Sequence, residues 1–129
     1  MKPAVVLDAS ALLAALFAET GHERVTSLLG RAAISAVNFT EVISRQIKLG
    51  ATPEVALNSI GLLNLRVIPW DQDLAEAAAD LSAFAWSHGL SLGDRACLAT
   101  ARKLGVTAVT ANRDWNALPP LGVQIDFIR

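Results

Sequence analysis

The sequence predicts an α/β fold, a three-layer sandwich with a central, mostly parallel sheet of about five strands between helices. Three observations carry this. Short apolar runs rich in β-branched residues alternate along the chain with longer stretches whose apolar residues recur at helical spacing. The short runs are apolar throughout, the pattern of strands covered on both faces. Helix punctuation separates them: Ser, Thr and Asp stand before the helical stretches and Gly after several of them.

Ala4 to Leu7 is the first and most hydrophobic strand, ending abruptly at Asp8. Ser10 can cap a helix from Ala11 to Ala18, and Thr20 to Gly30 reads as a second short helix with Val25, Leu28 and Leu29 inward. Ala32 to Ile34 is a second strand. A longer helix spans Val37 to Leu49, where Phe39, Ile43 and Ile47 repeat every fourth residue, with Val42 beside them and Gly50 as the stop. Thr52-Pro53 restarts a helix carrying Val55, Leu57, Ile60, Leu62 and Leu63, since threonine caps and proline suits the first position. These side chains serve either as core or as a surface for a partner.

Leu65 to Ile68 is a third strand, ended by Pro69. Asp71 caps the next helix, whose stripe is Leu74, Ala77, Ala78, Leu81 and Phe84. Ser91 caps another, with Ala96, Cys97, Leu98, Ala101 and Leu104 on its apolar face and Gly105 as the stop. Val106 to Val109 is a fourth strand. Asn112 can cap a short turn from Arg113 to Leu118, Pro119-Pro120 forces a loop, and Val123 to Ile128 is a last, edge strand.

A chain of 129 residues suggests a single domain over 1–129. Its hydrophobic content of 53% and mean hydropathy of +0.41 indicate a buried core and exclude disorder. The net charge of −1, from 11 basic and 12 acidic residues, gives no global signal for nucleic acid, so any such contact comes from a local patch. Cys97 is the only cysteine, which excludes an intrachain disulfide and a cysteine metal cluster. It fits a reducing cytoplasm, and its place on an apolar face marks a packed core thiol.

The opening residues superficially resemble a secretory leader, but Asp8 interrupts them and Asp8-Ala-Ser10 reads better as a strand-to-helix turn. No apolar run reaches the roughly 18 residues of a membrane span, so no membrane partner is expected. GxGxxG, P-loop and GxSxG patterns are absent, and His22 and His88 are isolated in polar segments.

The acidic residues carry the chemistry. A carboxylate directly after the most hydrophobic strand, as at Asp8, is costly unless it caps, pairs or binds metal. Glu41 alone reads as structural, because Asn38 to Glu41 has capping-box spacing and Arg45 follows at ion-pair spacing. Asp94, three residues after Ser91, suits a capping box and a ligand equally; Asp114, in the first turn after Asn112, is as open. Taken together, three of these four acids sit at or just past strand ends or at a helix start, and Glu41 is on a helix placed to lean over that edge. Hard carboxylate oxygens suit Mg²⁺ or Mn²⁺, and such a site suits phosphodiester cleavage, since the metal acidifies water and stabilises the attacking and leaving oxygens.

The segments VVLDASALLAALFAE, NFTEV and GLSLGDRACLATARKLGVTAVTANRDW resemble the PIN-domain ribonucleases, and more narrowly the VapC toxins of bacterial type II toxin–antitoxin pairs. The likeness runs nearly the whole length of the chain. It implies a PIN-like sandwich and a Mg²⁺- or Mn²⁺-dependent endoribonuclease that cuts RNA to a 5′-phosphate and a 3′-hydroxyl. It also implies a homodimer, held inactive by an antitoxin whose C-terminal segment occupies the groove of the site. The family's first three acids fall on Asp8, Glu41 and Asp94, and Ser10 and Thr110 match its small hydroxyl residues. By this resemblance Asp8 and Asp94 are the principal metal ligands. Glu41 binds the ion directly or through water, Asn112 and Asp114 complete the shell, and Arg45, Arg95 and Arg113 are candidates for the RNA backbone. The departure is at the fourth acid, where Asn112 stands in place of an aspartate and Asp114 follows two residues on. That departure supports an alternative, a degenerate non-catalytic binding module of the same fold. An aspartyl-phosphate phosphatase is disfavoured, because Ser10 stands where a second aspartate belongs.

Overall fold

A fully parallel sheet forms the middle layer in the computed structural model, which describes residues 2–129; Met1, the first residue of the leader-like opening, lies outside them. Among the described residues the strands are β1 (Val5–Leu7), β2 (Ala32–Ser35), β3 (Arg66–Ile68), β4 (Thr107–Thr110) and β5 (Ile125–Phe127), in the order β3-β2-β1-β4-β5. The expected mostly parallel sheet is thus parallel at every pairing. Leu7 lies between Ile34 and Val109, and the residues of β1 and β2 are all buried, as continuous apolar runs require.

Seven α-helices are described: α1 (Ala9–Phe17), α2 (His22–Thr26), α3 (Ala36–Lys48), α4 (Pro53–Gly61), α5 (Gln72–Asp80), α6 (Ser82–His88) and α7 (Leu92–Leu104). Alternation along each strand builds two cores. Val6, Ala33 and Ala108 face one side, against Leu74 and Leu81 of the α5–α6 segment, Leu98 of α7, and Trp115. Val5, Leu7, Ile34 and Val109 face the other, against Leu12 of α1, Val25 of α2, Val42 of α3 and Ile60 of α4. No helix among the described residues is long and apolar enough to cross a membrane.

Local differences from the sequence expectations have local causes. Asp8, rather than Ser10, caps α1: its carboxylate accepts the Ala11 N–H, so the helix begins at Ala9 and Ser10 lies inside it. The single helix expected over Thr20 to Gly30 is shorter. Gly21, at φ +90°, delays its start, and a 3-10 turn at Leu29–Arg31 finishes the segment. Ser35 caps α3, so Asn38 is not a cap. The helix after Asp71 breaks near Leu81 into α5 and α6, although the apolar stripe continues through Leu81 to Phe84. Val106 gives its N–H to the Ala101 carbonyl in the turn at Gly105, so β4 starts at Thr107 and includes Thr110. On α4, Ala56 and Ile60 are buried, but Val55 and Leu57 are exposed, as is Leu62 just beyond the helix. The apolar surplus there is therefore largely surface.

The C-terminal strand is clasped to the α2 region. Arg24 reaches both carboxylate oxygens of Asp126, at 2.8 and 2.6 Å, and donates to the Phe127 carbonyl at 2.7 Å. Arg129 donates to the Thr20 carbonyl at 2.8 Å and lies 3.6 Å from Glu19. Gly21 sits under this clasp with a left-handed backbone, and a Cβ there would overlap the Ile128 carbonyl. Gly21→Ala should therefore lower stability by about 2 kcal/mol or more, from the left-handed backbone and the overlap together. Urea denaturation checks this, and a variant as stable as the parent would refute the close approach.

Candidate active site

From β1 the chain moves outward through β2 to β3, then crosses back to place β4 on the other side of β1. In open parallel sheets the crevice beyond the C-terminal ends of two such strands is where ligands bind. Asp8 follows β1 there and Thr110 ends β4.

Asp8 is 4% exposed. Its Oδ1 accepts the Ala11 N–H at 2.8 Å and the Ser10 hydroxyl at 2.7 Å, and its Oδ2 accepts the Thr110 hydroxyl at 2.6 Å. The two hydroxyls in turn accept backbone N–H groups of the loop after β4, Ser10 from Ala111 and Thr110 from Asn112, both at 2.9 Å. Burial pushes the Asp8 carboxyl up to about 6, although all three donors favour its charged form, and the negative charge of Asp94 adds to the rise.

Asp94 opens α7 in a capping box. Ser91 Oγ accepts the Asp94 N–H at 3.1 Å, and Asp94 Oδ2 accepts the Ser91 N–H at 2.9 Å. The capping reading of this residue therefore holds, and its charge also acts on Asp8. Glu41 projects from α3 towards the same helix. Asn38 Nδ2 donates to Glu41 Oε1 at 2.7 Å and to the Gly93 carbonyl at 3.0 Å. Cys97 is fully buried one turn beyond Asp94. Its thiol is pushed well up, first by burial and then by the charges of Asp8, Asp94 and Glu41. No salt bridge among the described residues reaches any of the three. Nor are three His, Cys, Asp or Glu groups among those residues already gathered closely enough to grip a metal ion.

The remaining expected residues lie outside these contacts. Asn112 uses its side-chain oxygen to accept the Asp114 N–H at 3.1 Å, capping the 3-10 turn Arg113–Ala117, and Asp114 is exposed on that turn. Asp114 is not among the charges that act on Asp8 or Cys97. Arg45 forms no ion pair with Glu41. It lines a groove of about 420 Å³ with Ser10, Leu13, Phe17, Glu19 and Leu49, which opens beside Asp8. Arg95 donates to Ser82 Oγ at 2.9 Å, tying α7 to the start of α6. Arg113 lies over the Phe127 ring, 5.1 Å from its centroid, and donates to the Arg129 carbonyl. Sequence reasoning missed Asn38 and Gly93 as parts of this site. The available signal was the three-residue spacing from Asn38 to Glu41, which sets both on one helix face.

Residues 5–119 match the model of the PIN domain. Solved structures with the same fold include a DNA-bound VapBC from Salmonella typhimurium, at 23% identity over 100% of both chains with a TM-score of 0.74. A toxin-antitoxin complex from Klebsiella pneumoniae is 21% identical over 97% of this chain and 98% of that one, with a TM-score of 0.71. VapC20 of Mycobacterium tuberculosis, a sarcin-ricin loop cleaving toxin, is 20% identical over 93% and 98%, with a TM-score of 0.70. Comparison with curated protein sequences gives no match.

The burial of Asp8 has a measurable consequence. Its folded-state value of about 6 lies above the ordinary 3.8, so folding favours the protonated form. The associated stabilisation is complete below about pH 4 and is lost as pH rises through 6, on the order of 3 kcal/mol for a shift of this size. In EDTA, unfolding free energy should fall over that window, and Asp8→Asn should flatten the fall. An unchanged pH profile in the variant would rule out this source.

Proposed function

The chain belongs to the PIN-domain family, and on that premise we propose that it is a divalent-metal-dependent endoribonuclease, the toxin of a toxin–antitoxin pair. The observation that carries the reading is that the charges of Asp8, Glu41 and Asp94 all act on the buried Cys97, while no salt bridge among the described residues neutralises any of the three. The donor set fits a hard ion. Its oxygens are carboxylates, and the raised value of buried Asp8 reflects a negative charge that a cation would stabilise.

Asp8 and Asp94 would hold the ion, with Glu41 beside them. When bound, the ion supplies charge against the developing oxyanions and lowers the pKa of water. The residues do the rest. Ser10 and Thr110 keep Asp8 oriented, and Glu41 orients the attacking water and takes its proton. In-line attack on phosphorus breaks the bond to the 3′ oxygen, which takes a proton from solvent water, leaving a 3′-hydroxyl and a 5′-phosphate. The groove beside Ser10 and Arg45 is the approach for RNA or for the segment of an antitoxin that blocks it. Asn112 and Asp114 would complete the shell, and Arg113, Arg95 and Arg45 are the candidates for the RNA backbone. A second copy of the chain is the expected partner for the exposed apolar residues of the α4 segment.

The test is RNA cleavage by the purified protein. It should require Mg²⁺ or Mn²⁺, stop in EDTA, and fall at least 100-fold in Asp8→Asn and in Asp94→Asn. Cleavage that persists in either variant sinks the mechanism. Asn112 and the open spacing of the acids favour one second reading, a binding module of the same fold without catalysis. Metal titration separates the two: no Mn²⁺ binding at millimolar concentration supports the module. Asn112→Asp keeps the cap, adds a charge and should tighten Mn²⁺ binding if the site is catalytic. Growth arrest on expression, relieved by a small co-transcribed protein, tests the toxin role.

A further inference from the structure

Glu41 is an exposed residue on a helix, where a glutamate ordinarily samples many rotamers. Here two neighbours restrain it. Asn38, 1% exposed, lies one turn earlier on α3 and holds Glu41 Oε1 and the Gly93 carbonyl with the same amide nitrogen. Its own Oδ1 is buried without a partner, a cost that an apolar side chain in this contact would avoid. Gly93, buried in the first turn of α7, presents its bare Cα to the Glu41 carboxylate, and a Cβ there would overlap that carboxylate. The glycine does not serve the backbone. It lies within a helix and has no positive φ, so alanine would be the better helix former at this position. What forbids a larger residue is the glutamate of another helix.

We propose that Asn38 and Gly93 form a seat that fixes the Glu41 carboxylate next to Asp94, so that both are positioning residues for the divalent ion. This rests on the metal-dependent reading of the same site and names two residues that reading does not require. The seat joins α3 to α7 at the one place where both carry an acid of the site. The displaced group in a Gly93→Ala variant would be the flexible end of a side chain, so the fold should survive while the carboxylate moves.

The experiment measures Mn²⁺ affinity by calorimetry on the full chain, with thermal melting alongside. Gly93→Ala should weaken Mn²⁺ binding roughly 10- to 100-fold, the usual effect of losing an outer-shell partner, while melting at or above the parent temperature. Asn38→Ala should weaken binding to a similar degree. In a Glu41→Ala background, Gly93→Ala should have no further effect, because the residue it displaces is gone. Parental affinity in Gly93→Ala overturns the seat and leaves the ribonuclease reading standing, as does an effect that adds in full to Glu41→Ala. A parent that binds no Mn²⁺ overturns both.

Discussion

The buried carboxylate of Asp8 is the interaction on which the rest of this structure depends. A charge at the end of a central strand is costly to bury, and three donors offset that cost: the Ala11 N–H and the hydroxyls of Ser10 and Thr110. Each donor belongs to a neighbouring element. Ala11 makes Asp8 the start of α1, Thr110 ties it to the end of β4, and Ser10 links it to the loop beyond β4 through Ala111. One side chain thereby sets the angle at which the first helix leaves the sheet, and joins two strands' ends that lie 102 residues apart. The same arrangement leaves Asp8 short of full compensation, and a group in that condition is suited to receive a cation.

The sheet order explains why the helices that carry Glu41 and Asp94 meet. Because β1 lies between β2 and β4, the helix that follows β2 and the helix that precedes β4 lie on opposite faces of the sheet and both reach the edge beside β1. α3 brings Glu41 on its second turn and α7 brings Asp94 on its first. The local structure of each is stable without the site: Ser35 caps α3, and Ser91 with Asp94 caps α7. In α7 the capping residue Asp94 is also the candidate acid, whereas in α3 the cap and Glu41 are separate. Asn112 repeats the pattern, since its oxygen caps the 3-10 turn that follows β4. A cap needs an acceptor rather than a charge, so asparagine serves it as well as aspartate.

Much of the fold was legible because its signals are local. Continuous apolar runs marked buried strands, a four-residue repeat marked α3, an apolar face at helical spacing marked α7, and Asp71, Ser91 and Thr52 marked helix starts where the structure has them. The errors cluster where two local signals compete. Asp8 and Ser10 both suit a cap, and the sequence alone did not choose; the hydroxyl of Ser10 is drawn instead to the carboxylate and to Ala111. Glu41 and Arg45 have ion-pair spacing, yet the glutamate is engaged by Asn38, and the arginine lines the groove beside Ser10. The apolar residues of the α4 segment fitted core and surface equally, and only the packing of Ile60 and Ala56 beneath them left Val55, Leu57 and Leu62 outside.

By itself the sequence determined the kind of elements, their order, their parallel layering and the identity of the candidate acids. Those follow from hydropathy period and capping, whose reach is about four residues. The tertiary structure alone decided how the acids are held. Thr110 donating to Asp8, Asn38 bridging Glu41 to the Gly93 carbonyl, and the space above Gly93 are contacts between residues far apart in sequence. No local rule encodes them, because they exist only once β4 lies beside β1 and α3 meets α7. The burial that lifts the Asp8 carboxyl to about 6 belongs to the same class: it depends on everything packed around the residue and not on its neighbours in the chain.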